Sequence, residues 1–243
     1  MDTATVRLYL SDMRCREFAA VVTAVTERAA CLDRTAFYPG GGGLPPDQGS
    51  LAHEGREVAV LGVRDDGGQI WHDVGEPPPP VGAAVTGRLD WPFRYGVMRH
   101  HTAIHVLCGV VYHLFGAVVT GGQIRPDRAR IDLTLADLTR ERVQQIEDEA
   151  NRIIAEDRPI KTYTVPREAL ATMDLVRTKQ ILVPESVRQV RIVEIEGFDA
   201  QADGGTHVST IRECGRLRIV KTENKGRQNK RLEIALEGDG GQR

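Results

Sequence analysis

The chain has 243 residues, 41% hydrophobic and 27% charged, which suits a globular protein with one large core or two small ones. Its net charge of −2 excludes a bulk positive field for nucleic acid, so any such contact must come from a local patch. Four scattered cysteines without a Cys-x-x-Cys pair argue against a disulfide framework and for a reducing cytoplasm. No apolar h-region stands between Met1 and Arg14, so no secretory signal is expected. The most apolar run, Ala103 to Val119, is broken by His105, Tyr112 and His113. It falls short of the roughly 20 apolar residues of a membrane span.

Residues 5 to 90 read mostly as strands. Val58, Val60, Ile70, His72 and Val74 flank Asp65-Asp66-Gly67-Gly68, a hairpin signal. Val81, Ala83, Val85 and Leu89 alternate as a further half-buried strand. Short strands with glycine-rich turns predict a small barrel or curled sheet. Pro77 to Pro80 is a stiff connection within this half. Gly40 to Gly43 reads, from the residues alone, as a loop that must take positive φ.

The composition changes near Trp91. From Tyr95 to Phe115, Ile104, Leu107, Val111 and Leu114 recur at helical spacing. Thr139 is expected to cap a second helix running to about Asp157, stopped by Pro159; its Glu147, Asp148, Glu149 and Arg152 read as a solvated face. Val190 to Ile195 reads as a strand, and Ile211 to Val220 and Arg231 to Leu236 as two more. Gly238 to Arg243 reads as a frayed tail.

On the first helix His101 and His105 stand four residues apart and leave the same face, a spacing that can hold one divalent ion, most commonly zinc. The pair alone is a weak signal. It gains weight from Asp203-Gly204-Gly205-Thr206-His207, where a strand ends. If His101, His105, Asp203 and His207 all bind, the site is closed and structural; three histidines alone would leave a position for water and catalysis. Cys108 is a rival ligand, but it lies seven residues, roughly 10 Å of helix, from His101. His100 points about 100° away round the helix. His53, His72 and His113 are assigned no role. Thr102 follows His101 where a zinc peptidase of the His-Glu-x-x-His type needs glutamate. Thr102 is expected to pack with a backbone hydrogen bond, whereas Thr206 is a candidate for facing a substrate. No motif supports a covalent nucleophile.

These residues resemble a known family. His101-Thr102-Ala103-Ile104-His105 with Gly204-Gly205-Thr206-His207 is similar to the editing domain of alanyl-tRNA synthetase and its free-standing relatives, the AlaX proteins. Thr35-Ala36-Phe37-Tyr38-Pro39-Gly40-Gly41-Gly42-Gly43 resembles the glycine motif of the longer, two-domain AlaX type, and Lys221 to Ile234 resembles its C-terminal end. Two positions depart: many members have Cys where this chain has Asp203, and commonly Gln where it has Leu44.

The resemblance implies an α+β fold: an N-terminal small β-barrel over 1–92, then an α+β editing domain over 93–243 with an antiparallel sheet and a metal-binding helix. It implies one Zn²⁺ per chain on His101, His105, Asp203 and His207. It implies hydrolysis in trans of serine or glycine esterified to tRNA(Ala), in the cytoplasm. The physical need is sound, since serine and glycine each differ from alanine by one small group that a single pocket rejects poorly. Gly41, Gly42 and Gly43 would line the site with Thr206. Lys221, Lys225, Arg227 and Lys230 are expected to hold tRNA phosphates, with Arg125, Arg128 and Arg130 a second, weaker patch. A monomer is expected. The rival readings are a tRNA-binding module whose metal site is structural or lost, and a hydrolase of another aminoacyl ester.

Overall fold

The computed structural model describes residues 4–175, 177, 183 and 187–238, so the tail expected at 239–243 lies outside the described residues. The chain packs as two units, Met1–Gly96 and Val97–Arg243.

In the first unit β1 (Val6–Arg7) leads into a one-turn helix, α1 (Leu8–Ser11). There follow β2 (Glu17–Val25), β3 (Ala29–Leu32), β4 (Arg34–Thr35), β5 (Gly49–His53), β6 (Arg56–Asp66), β7 (Gln69–Val74) and β8 (Ala84–Leu89). Six of these close an antiparallel barrel in the order β2-β3-β7-β6-β5-β8, while β1 pairs in parallel with β4. Alternate residues of β2, β7 and β8 point inward, and Phe18, Val22, Leu32, Phe37, Leu51, Val58, Ile70 and Val85 fill the interior. The Asp65–Gly68 hairpin forms as expected. Asp66 opposes Gln69, and Gly67 and Gly68 take φ of +59° and +95° in the two-residue turn. The strand expected from Val81 begins later, at Ala84, and Val81 is exposed.

Helix α2 (Trp91–Phe115) starts four residues before the periodic stretch, because the Asp90 carboxylate accepts the Phe93 N–H at 3.1 Å and Pro92 suits a first turn. It runs out of the first unit into the second. There every residue from Val97 to Val111 is buried, so the expected apolar stripe belongs to a helix covered on all sides; Leu114 lies at the surface.

The second unit continues with β9 (Val119–Ile124), β10 (Ala129–Leu133), α3 (Arg140–Ala155), β11 (Ile160–Pro166), β12 (Gln189–Ile195), β13 (Asp199–Ala202), β14 (Arg216–Gly226) and β15 (Asn229–Glu237). Two antiparallel sheets result, β14-β15-β10-β9 and β11-β12-β13. With the barrel they make the α+β architecture expected. Thr139 caps α3, its hydroxyl accepting the Arg142 N–H at 3.2 Å.

Two expectations are corrected here. Ile211 to Val220 is not one strand: a 3₁₀ turn, Ile211–Cys214, held by a Thr210/Glu213 capping box, precedes β14. Glu147 is not solvated; it is buried, accepts the Ile219 N–H at 2.7 Å and ties α3 to β14.

Candidate metal centre

The site grows out of α2 and the segment after β13. One helical turn separates His101 from His105, and their ring centroids lie 4.8 Å apart. The chain leaving β13 brings in Asp203 and, past two glycines, His207. The His207 ring stacks on His101 at 4.1 Å and meets His105 edge-on at 4.6 Å. Gly109 permits this closeness. A Cβ there would fall 2.6 Å from the Phe198 ring just before β13, so a side chain would push helix and strand apart.

One ligand atom from each of His101, His105, Asp203 and His207 lies within 4.8 Å of the others, and the three histidines are buried. A carboxylate oxygen of Asp203, Oδ2, is 3.0 Å from His207 Nε2, and its other oxygen, Oδ1, is 3.7 Å from His101 Nε2. Zinc takes such ligands at about 2.0–2.2 Å, so donor atoms must come within roughly 3.5 Å of one another. Small side-chain rotations close that difference, and the donor set of imidazoles plus one carboxylate fits zinc.

The far sides of the rings are fixed. His101 Nδ1 is 3.2 Å from the Thr206 carbonyl, so that nitrogen carries the hydrogen and Nε2 faces the cluster. His207 Nδ1 is 3.0 Å from Thr102 Oγ1, which also accepts the Val208 N–H at 3.3 Å. Thr102 therefore does more than the helix packing expected of it: it sets the orientation of His207, 105 residues away. The loop itself is clamped, since Arg191 Nη1 donates to the Asp203 and Gly205 carbonyls at 2.9 and 3.0 Å. The Gly205 N–H donates to Asp203 Oδ2 at 2.9 Å.

Burial, then the neighbouring imidazoles, keep His105 neutral well below the usual histidine range. Burial likewise pushes His207 down to about 4, aided by His101. For Asp203 burial opposes ionisation, but His101 and the hydrogen bond from His207 outweigh it and hold the carboxyl well below the ordinary value. Neutral His105 and His207 beside an ionised Asp203 are protonation states that metal ligation requires. Cys108 is outside the cluster, and burial pushes its thiol up to about 12.

In the first unit, Gly40, Gly41, Gly42 and Gly43 take φ of +82°, +111°, +61° and +90°, so the loop reading of the glycine run holds physically. Leu44 closes the loop through paired backbone hydrogen bonds with Gly41, and its side chain is buried. Sequence reasoning missed what anchors this motif. Asp47 accepts the Tyr38 N–H at 2.6 Å and is ion-paired inside the unit with Arg94. The Arg94 guanidinium also donates to the Ala36 carbonyl at 2.6 Å.

Two family models match the chain. One, the threonyl and alanyl tRNA synthetase second additional domain, matches residues 190–233, and one for tRNA synthetases class II (A) matches 4–93. The alanyl-tRNA editing protein AlaX-M of Saccharolobus solfataricus is 39% identical over 231 residues, 94% of this chain and 97% of that protein. The chain belongs to the AlaX-M family of alanyl-tRNA editing proteins. The AlaX-M protein of Methanosarcina barkeri agrees, at 40% identity over 96% of this chain and 99% of its own length. The alanine–tRNA ligase of Ignicoccus hospitalis is 40% identical over 90% of this chain, which spans 24% of that larger protein.

The basic residues expected to meet tRNA fare unequally in this AlaX-M chain. Lys221 and Lys225 lie on β14, both beside Glu223. Arg227 is exposed at the turn to β15. Lys230 is corrected: it is buried, and its Nζ donates to the Gly226 carbonyl at 2.6 Å, so it fastens the turn instead of offering a free charge. Its position on β15 opposite Leu133 turns it inward, a placement that only the strand register reveals.

Proposed function

We propose that this chain is a zinc-dependent hydrolase that removes serine or glycine in trans from mischarged tRNA(Ala). The observation that carries the reading is the convergence of His101, His105, Asp203 and His207, within 4.8 Å, in a chain 39% identical to an alanyl-tRNA editing protein over nearly its whole length. A zinc ion held by these side chains would polarise the ester carbonyl and make a water acidic enough to act near neutral pH.

The chain's own groups supply the rest. Thr102 and the Thr206 carbonyl hold the rings of His207 and His101 at the nitrogen facing away from the cluster. The Gly205 N–H and Arg191 keep Asp203 and its loop in place. In this reading the backbone of Gly41, Gly42 and Gly43 meets the substrate where no side chain intervenes, and Thr206 gives a serine hydroxyl its partner. Alanine, lacking that hydroxyl, is spared relative to serine. Lys221, Lys225 and Arg227 meet tRNA phosphates.

Among the described residues no helix is long and apolar enough to cross a membrane. A cytoplasmic monomer acting beside the translation machinery is part of the same proposal. The test is direct. Purified protein is mixed with seryl-, glycyl- and alanyl-tRNA(Ala), with zinc present, and ester loss is followed. Loss of the seryl or glycyl ester with alanyl-tRNA spared supports the reading. Decay of all three at the uncatalysed rate overturns it. A zinc-loaded protein that binds tRNA without cleaving any ester would instead favour a binding module with a structural ion.

A further inference from the structure

The two basic runs in the sequence, 125–130 and 221–231, are about a hundred residues apart. The second unit folds them onto one face. In the sheet β14-β15-β10-β9, Ala129, Ile131, Leu133, Leu232 and Ile234 point into the core, and the residues between them point out. The registers then fix the neighbours. Arg130 lies opposite both Gln123 and Glu233, Asp132 lies opposite Arg231, and Glu233 lies opposite Lys221. Of these, Gln123, Arg130, Arg231 and Glu233, with Arg125 and Arg128 of the β9–β10 turn, line a concavity of about 320 Å³.

The charges on this face are committed to different degrees. Arg231 is spent, its guanidinium forked onto Asp132 at 2.6 and 2.8 Å. Arg128 is loosely held, 3.8 Å from both Asp127 and Glu233. Arg125 and Arg130 make no ion pair among the described residues. So one rim of the concavity carries three guanidiniums with free donors, in a chain whose net charge is −2. Guanidinium forks match phosphate oxygens two at a time. The cations are spread over a turn and a strand, not converged on one point. Neither 125–130 nor 221–231 contains an aromatic side chain for stacking a base. That combination suits successive phosphates of a backbone.

We infer that the β9–β10 rim of this sheet, through Arg125, Arg128 and Arg130, is a docking surface for the phosphodiester backbone of RNA. The inference deepens the proposed function and rests on tRNA being the substrate. The test is binding of uncharged alanine-accepting tRNA to the full-length zinc-loaded chain, by fluorescence anisotropy across a salt series. The double variant Arg125→Ala/Arg130→Ala is expected to bind at least tenfold more weakly, with a salt slope shallower by about 2, near one per lost contact. Zinc content should be unchanged, since neither residue touches the metal cluster. Arg125→Lys/Arg130→Lys, which keeps the charge, should restore most of the affinity and the slope. Wild-type affinity and slope in the alanine variant would overturn the surface. So would AMP competing with tRNA at equal affinity, which would mark a small-phosphate site. Arginine-dependent tRNA binding with no ester cleaved in the wild type would remove the hydrolase reading and leave this surface standing. Ester cleavage with undiminished binding in the alanine variant would do the reverse.

Discussion

His72 should set the acid limit of the barrel that carries the glycine motif. Its ring is fully buried, with Nδ1 3.1 Å from the Ala30 carbonyl and Nε2 2.8 Å from Thr35 Oγ1. The Thr35 hydroxyl also accepts the Phe37 N–H at 3.1 Å, so it donates to Nε2, and the imidazole is neutral with its hydrogen on Nδ1. Burial pushes the pKa down to about 4, against an ordinary 6.5. The folded form thus refuses a proton that the unfolded chain accepts. Stability from this group is complete above about pH 6.5 and is lost as the pH falls toward 4. Those two and a half units correspond to about 3 kcal/mol in full, with roughly 2.5 kcal/mol of it gone by pH 4.5. The assay is urea denaturation of the wild type and His72→Gln at pH 7.5 and pH 4.5. Other groups titrate in both proteins, so the readout is the gap between them. His72→Gln lies below the wild type at pH 7.5, and the gap should narrow by about 2.5 kcal/mol at pH 4.5. An equal gap at both pH values would mean that His72 is not the buried neutral anchor described.

His207→Ala should abolish both zinc binding and ester hydrolysis, checked by elemental analysis and deacylation; full activity in it would contradict the ligand set. Thr102→Val keeps the volume but loses the hydroxyl that orients His207, so zinc affinity should fall by about 10–100-fold in a chelator competition while the fold survives. Asp47→Ala strands the Arg94 guanidinium in the interior and should cost the barrel unit about 3–5 kcal/mol, read as a lower urea midpoint. Asp47→Asn, which can still accept the Tyr38 N–H, should cost less.

The legible parts of this molecule were those whose signal is local. Helical spacing put His101 and His105 on one face, the Asp-Gly-Gly turn announced its hairpin, and Thr139 announced the start of α3. The third histidine could be paired with the first two because glycines after a strand mark a sharp return of the chain. What stayed hidden depends on contacts between distant segments. Thr102 reads as any helical threonine until His207 arrives 105 residues later. Arg94 and Asp47, 47 residues apart, carry no local signal of the buried pair that they form. Lys230 and Glu147 read as solvated because each has charged neighbours, but strand register turns the first inward and β14 covers the second. Register is also what merged two basic runs into one surface, and a shift of one residue would have sent Arg130 into the core.

Asp203 is where the chemistry of the site is decided. A carboxylate at this position is a harder donor than a thiolate would be, and it is already engaged, because Oδ2 accepts the Gly205 N–H and lies 3.0 Å from His207 Nε2. Its other oxygen, Oδ1, faces His101 Nε2 at 3.7 Å and has no backbone donor among the described residues. The division suggests one oxygen that holds the loop and one that faces the ion. Asp203→Asn separates the two roles, since a carboxamide oxygen can keep the Gly205 hydrogen bond while the negative charge is lost. If the charge is a direct ligand, zinc affinity should drop by more than roughly tenfold, with thermal stability of the metal-free protein little changed. Asp203→Cys, supplying a thiolate, should bind zinc more tightly than the wild type. Wild-type zinc affinity in Asp203→Asn would refute direct ligation. It would leave three imidazoles as the protein's share of the site, with the fourth position open to substrate or water.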